Sequence, residues 1–311
     1  MVEFHSDTAF FGDVNLSRLA GAEKYLGVDS SGNIKTMSGS GGDGGDVPLP
    51  NSTLYVSAAY PNESPYFSNL TDAVAASNDE DTIIVYNGNY FEDVELTDID
   101  LIALGRVYID KITAGSSKII GNILVDELII GECDVDIKEA NLIRCDSETN
   151  YIRCDQVAEL EASGHSLNVA HINNIANISM SGESSLIAYN AKITESIQLE
   201  LDATCELVNC RIKLEQGEQI ILTGGRMRLK GCQVRGSADP LIDIDGYIQF
   251  IIDDTIIIND IGYPVIDVDA GAGEDKIYVR NSFANEDSSG NIQYKLETLN
   301  VNADIEQLFI L

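Results

Sequence analysis

The sequence predicts an all-β solenoid, a single-stranded parallel β-helix of about 20–23 residues per coil with a short helix covering its first coil. Three observations lead there. A small or polar residue followed by an aliphatic one recurs as Lys111-Ile112-Thr113, Cys133-Asp134-Val135, Ala191-Lys192-Ile193, Cys210-Arg211-Ile212, Cys232-Gln233-Val234, Thr255-Ile256-Ile257 and Ser282-Phe283. The intervals are 22, 19, 22, 23 and 27 residues, and the gap from Cys133 to Ala191 divides into three through weaker matches near Cys154 and Ala170. Within each repeat the apolar spacing is two, as in Ile242, Ile244, Ile248, Phe250 and Ile252 alternating with Asp243, Asp245 and Gln249, which excludes helical repeats. No L-x-x-L-x-L-x-x-N series recurs, so the leucine-rich repeat is excluded too. A coil of this kind cannot bury its own apolar row and must stack on its neighbours, with Ile244, Ile252, Ile257, Val268 and Ile277 expected inward.

Taken in order, residues 1–37 form a separate attachment piece. Tyr25-Leu26-Gly27-Val28-Asp29 and Ile34-Lys35-Thr36 flank Ser30-Ser31-Gly32-Asn33, a hairpin whose glycine suits a turn with positive φ. Residues 38–50 open with nothing but Ser, Gly and Asp and read as a flexible linker. The rod is expected over 51–283. Its first element is a helix at Ser68–Ala76, capped by Ser68 or Asn69 and apolar at Leu70, Val74 and Ala75. A strand follows at Asp81–Tyr86, then a turn from Gly88 to Val94, with Gly88 allowing a tight entry into the next coil. Beyond Ser282 the period stops. Asp287-Ser288-Ser289-Gly290-Asn291-Ile292 repeats Asp29–Ile34 letter for letter, and 284–311 are expected to cap the rod or meet another subunit through Leu308, Phe309, Ile310 and Leu311.

The run of helix Ser68–Ala76, strand Asp81–Tyr86 and Gly88-x-Tyr90-x-Glu92 resembles the opening turn of the pectin lyase-like superfamily of right-handed β-helices, its pectinesterase-type members above all. The match covers residues 54 to about 104, and the remainder agrees only in periodicity. The resemblance implies a right-handed helix with Gly88, Tyr90 and Glu92 as fold signature. Enzymatic carry-over stops there. Gln-Asp never occurs and tryptophan is absent, so the later pectinesterase motifs cannot be present. Against the polygalacturonase pattern the chain offers only Gly164-His165-Ser166, Arg211-Ile212-Lys213 and an out-of-order Asp253-Asp254, and no catalytic residue is assigned.

Six cysteines without a C-x-x-C pair read as buried free thiols, with Cys133, Cys210 and Cys232 in one phase of the repeat. His165 and His171 read as surface residues, and Gly224, Gly225 and Gly231 as corner glycines, because no Lys-Ser/Thr follows to make a phosphate loop. One metal candidate stands out. Asp267 and Asp269 share a strand face, and Gly271 and Gly273 let Glu274 and Asp275 return to them, a set of hard oxygen donors suited to calcium; the competing reading is a solvated acidic corner.

With 19 basic and 51 acidic side chains the formal charge is −32, a field that repels nucleic acid and anionic membranes. No apolar run is long enough to insert into a bilayer, and Met1–His5 begins no basic-then-apolar leader, so synthesis in a host cytoplasm is expected. Attachment piece, Gly/Ser linker, acidic β-helix and apolar end together resemble bacteriophage tail fibres, tailspikes and head fibres. That resemblance implies a homotrimer located in the virion, bound to other virion proteins through residues 1–37, with a host surface glycan as outer partner and no cofactor unless calcium binds. The alternatives are a polysaccharide-degrading tailspike and a bacterial surface adhesin.

Overall fold

The computed structural model describes residues 24–28, 34–38, 53–60, 62–147, 149–200, 202–245, 248–260, 266–269, 276–280 and 282–285. The N-terminal pair β1 (Lys24–Val28) and β2 (Ile34–Ser38) is antiparallel, with Val28 facing Ile34 across the expected turn. From Thr53 onward every strand-to-strand pairing is parallel, and the chain is a right-handed parallel β-helix with one short helix.

The rod opens with β3 (Thr53–Val56), β4 (Tyr66–Phe67) and α1 (Leu70–Ala76). Asn69 is the N-cap: its backbone is extended and its side chain accepts the Asp72 N–H at 2.8 Å. Seven residues make no stable helix alone. Burial of Leu70 and Ala73 against the first coil holds it, with Val74 half-buried beside them.

Six long strands follow, one per coil: β5 (Thr82–Thr97), β6 (Asp100–Gly115), β7 (Lys118–Gly131), β8 (Asp134–Ser147), β9 (Thr149–Ala162) and β10 (Leu167–Met180). After them the chain divides into shorter strands. They are β11 (Ser185–Tyr189), β12 (Lys192–Ile193) and β13 (Ile197–Leu199), then β14 (Thr204–Val208), β15 (Arg211–Gln216) and β16 (Ile220–Leu222). Next come β17 (Gly225–Lys230), β18 (Gln233–Ser237) and β19 (Ile242–Asp245), then β20 (Ile248–Asp253), β21 (Ile256–Asn259) and β22 (Ile266–Asp269). The described rod ends in β23 (Lys276–Arg280) and β24 (Phe283–Asn285).

The coil length is not constant, which corrects the sequence alignment. In β5–β10 the register advances by 15 to 19 residues: Tyr90 faces Ile109, Leu128 faces Ile143 and Ile152 faces Ala170. Lys111 therefore stacks on Glu127, not on the repeat unit that begins at Cys133. From Ala191 on the alignment was right, since Lys192, Arg211, Gln233, Ile256 and Phe283 form one column. The early coils are short because some corners are turned inside continuous strand, by bulges such as that between Tyr86 and Gly88, and the breaks between strands take only two residues, the first of them left-handed at Asp98, Ser116 and Glu132. Later coils place extra residues between strands. Gly88 to Val94 is likewise continuous strand rather than a turn, and Gly88 has a steric role: a Cβ there would lie 3.1 Å from the Tyr90 ring.

Inside, aliphatic side chains stack coil on coil. Ile244, Ile252 and Ile257 are buried as expected; Val268 faces Ile244 and Ile277 faces Phe250 in backbone register. All six cysteines are buried free thiols. Their expected common phase is wrong in one respect. Cys133, Cys210 and Cys232 each follow a left-handed corner residue, but Cys133 shares its column with Ser117 and Asn150, whereas Cys210 and Cys232 follow Ala191. Cys154 stacks between Ile137 and Ile172, not on Ala170.

Candidate functional site

The signature residues lie together on β5 at the start of the rod, and one of them, Glu92, acts on the helix. Glu92 projects from β5 and accepts the N–H of Leu70 at 3.1 Å, the N–H of Thr71 at 2.7 Å and the Thr71 hydroxyl at 2.7 Å. One carboxylate thus satisfies two unpaired N–H groups of the first helical turn and complements its dipole. The buried Tyr90 donates its hydroxyl to the Tyr86 carbonyl at 2.9 Å. Glu92 is the clasp between the helix and the first long coil, while Tyr90, with Gly88 leaving room for its ring, ties β5 to itself and to β3.

A polar column crosses the core. Asn150 accepts the Cys133 N–H at 3.0 Å and donates to Asn168 Oδ1 at 2.9 Å; Asn168 in turn donates to Ser166 Oγ at 3.0 Å and to the Ser185 carbonyl at 3.2 Å. Both amides are fully buried. In the second half Thr255 does the same work in a different column, the one that holds Cys210 and Cys232: its hydroxyl donates to the Asp253 carbonyl at 2.9 Å and accepts the Cys232 N–H at 3.2 Å. Burial pushes the Cys154 thiol up to about 12 and holds Cys145 and Cys205 above their ordinary range, so these thiols are poor nucleophiles.

On the outside, charges alternate along the rod. Lys111 meets Glu127 at 2.8 Å, Glu127 meets Arg144 at 3.2 Å and Arg144 meets Glu161 at 2.7 Å, one step per coil. Lys138 pairs with Asp155, which also accepts from Asn173 at 2.8 Å. Beside this ladder lies a groove of about 370 Å³ lined by Thr97, Gly115 and Gly131 with Glu95, Glu132 and Asp146 around it. Thr97, Gly115 and Gly131 stack in register, so two missing side chains make the depression.

The fragments of glycosidase pattern are not brought together. His165 is exposed and contacts Glu183 at 2.7 Å. Asp253 lies four coils further on, roughly 19 Å at one strand spacing per coil, buried and paired with Arg228 at 3.4 Å. Asp254 is an exposed left-handed corner, and Arg211 and Lys213 face outward on β15. His171 is a rung between Tyr151 and Tyr189, ring centroids 5.7 and 5.1 Å away. Gly225 and Gly231 are left-handed corners as expected.

Of the calcium candidates, Asp267 and Asp269 lie on β22 in register with Asp243 and Asp245, while Glu274 and Asp275 lie outside the described residues. Among the described residues no group of three His, Cys, Asp or Glu is placed to hold a metal ion. Leu308, Phe309, Ile310 and Leu311 also lie outside the described residues. No described helix is long and apolar enough to cross a membrane.

One feature escaped the sequence reading. Tyr55, Ile84, Ile102 and Ile120 stack in register on the outer face of four successive strands, and Tyr86 and Leu104 form a second outward column beside them. Tyr66 stacks on Tyr55 at 5.5 Å, and Tyr60 bridges Tyr66 and Tyr86 at 5.2 and 5.9 Å. Leu104 is 49% exposed and Ile120 41%. The signal was available: Thr82-Ile83-Ile84-Val85-Tyr86, Asp100-Leu101-Ile102-Ala103-Leu104 and Lys118-Ile119-Ile120 are apolar at consecutive positions, the pattern of strands covered on both faces.

The fold and these sites define a parallel β-helix protein with a clasped first coil. Comparison with family models, curated proteins and solved structures finds no match.

Proposed function

We propose that the chain is a non-catalytic structural component of a bacteriophage virion, a fibre- or spike-like rod. In this reading it attaches to other virion proteins through residues 1–37, assembles as a homotrimer with Leu308–Leu311 among its contacts, and turns its outer face to a host surface glycan. The observation that carries the reading is the outward ladder Lys111–Glu127–Arg144–Glu161. It ties successive coils together and pairs the basic groups of this outer face with carboxylates, which suits a rod that bears load along its axis. The clasped helix supports it as well, because it covers the first coil while leaving the stack to grow in one direction. Mass spectrometry of purified particles tests the reading, with peptides of this chain expected at a fixed stoichiometry. Their absence overturns it. Release of reducing ends from host capsule or lipopolysaccharide by the purified chain would instead make it a degrading spike.

A further inference from the structure

We propose that Cys210 and Cys232 are an oxidation site: hydrogen peroxide joins their sulfurs in a disulfide that fastens two adjacent coils of the rod. Of the six cysteines these are the two that lie over one another. Arg211 faces Gln233 in the strand register and the Gln233 N–H donates to the Cys210 carbonyl at 3.0 Å, so the two thiols occupy the same place on successive coils. Each of the other four has no cysteine at its position in the coil on either side. One strand spacing sets the two α-carbons about 4.8 Å apart, within the roughly 4.4–6.8 Å that a disulfide spans. The side chains agree in direction as well. Cys210 Sγ lies 3.5 Å from the Val208 carbonyl oxygen and Cys232 Sγ 3.6 Å from that of Lys230, which stacks on Val208. Cys232 Sγ also lies 3.2 Å from the Leu207 carbonyl oxygen, in the coil that holds Cys210, and its thiol hydrogen-bonds to the Cys210 sulfur.

The contact gives the two thiols different roles. The hydrogen bond from Cys232 lowers the Cys210 pKa, and the same bond together with burial raises that of Cys232. Cys210 is therefore the thiolate that attacks, and Cys232 keeps its proton until the second step. Cys210 attacks one oxygen of the peroxide and the O–O bond breaks, giving Cys210 sulfenic acid and hydroxide, which takes up the proton that Cys210 had released. The Cys232 sulfur then attacks the sulfenic sulfur, the S–O bond breaks, and the hydroxyl leaves with the Cys232 proton as water. The two thiols give up two electrons and the peroxide leaves as two waters. Access is through the corner: Cys210 follows the exposed Asn209 and Cys232 follows the half-buried Gly231, so each thiol lies one residue inside the surface. Peroxide is little larger than water and passes where a bulkier alkylating reagent does not. The inference rests on the stacking of the coils and stands apart from the virion reading above.

The test treats the full chain with hydrogen peroxide, removes the excess with catalase, and unfolds the protein in urea with iodoacetamide before peptide mapping. Free thiols should fall from six to four, with a Cys210–Cys232 cross-linked peptide that is lighter by two hydrogens and is lost on treatment with dithiothreitol. The oxidised chain should unfold at a higher urea concentration than the reduced one, because the bond constrains the unfolded chain. With dimedone added at the unfolding step, Cys232→Ser should trap a sulfenic acid at Cys210, since the serine hydroxyl still donates to it, whereas Cys210→Ser should trap none at Cys232. Six free thiols after peroxide, or a cross-link between other cysteines, overturn the site. A cross-linked chain no more stable than the reduced one overturns the fastening of the coils, and equal trapping in the two variants overturns the order of attack. The peptide map of the unaltered chain decides the site even where a serine variant does not fold.

Discussion

Asn150 offers the sharpest test of how the core is held together. Its side-chain oxygen accepts the Cys133 N–H at 3.0 Å and its amide nitrogen donates to Asn168 Oδ1 at 2.9 Å, with no exposure to water. Asn150→Leu keeps the volume but leaves both partners buried and unsatisfied, at about 1–3 kcal/mol each, or roughly 2–6 kcal/mol in all. Asn150→Asp is the more instructive change. One carboxylate oxygen can still accept from Cys133, but the other faces Asn168 Oδ1, so the ionised form is penalised by burial and by that oxygen, and the folded-state pKa rises above the unfolded value of about 3.9. A raised acid pKa means that the penalty grows as pH rises. For a rise of about three units the variant loses about 4 kcal/mol at pH 8 and about 1.5 kcal/mol at pH 5, where the neutral carboxyl can donate to Asn168 as the amide did. Urea unfolding followed by circular dichroism, at both pH values and against the unaltered chain, measures the difference directly. Equal stability of Asn150→Leu and the parent, or an Asn150→Asp loss independent of pH, would refute the view that this column holds adjacent coils in register.

Three further outcomes are expected. Glu92→Ala removes three hydrogen bonds from the start of α1 and should lower stability by about 1–2 kcal/mol, with Glu92→Gln intermediate, as read from thermal melts. Native protein should leave its cysteines unmodified by iodoacetamide at pH 8 over times that label the urea-unfolded chain completely, since all six are buried out of the reagent's reach, Cys210 included although its hydrogen bond with Cys232 lowers its pKa; mass spectrometry counts the adducts. Gly225→Ala combines a φ of +82° with a new Cβ 2.2 Å from the Ala203 carbonyl oxygen, and should cost several kcal/mol or abolish soluble expression, whereas Gly217→Ala, with open space around it, should cost far less.

Period-two alternation and recurring corner residues were enough to read a parallel β-helix from the sequence, because most inward positions are apolar and the few polar ones, such as Asn150 and Thr255, fall at corners. The helix over Leu70–Ala76 was legible for a similar reason: Asn69 caps it locally and its apolar residues fall at helical spacing. The stacking register was not legible in the first half. Lys111 and Cys133 carry the same local pattern, yet the pattern reports only that a corner and a strand follow, and which coil lies beneath is set by how many residues the corner consumes. The same limit hid the outward strip. Ile84, Ile102 and Ile120 lie 18 residues apart, a spacing that acquires meaning only once β5, β6 and β7 are stacked. Which side chains face in follows from alternation along the chain and is local; which outward side chains meet was decided by the tertiary structure, since inter-coil distance is a property of the fold.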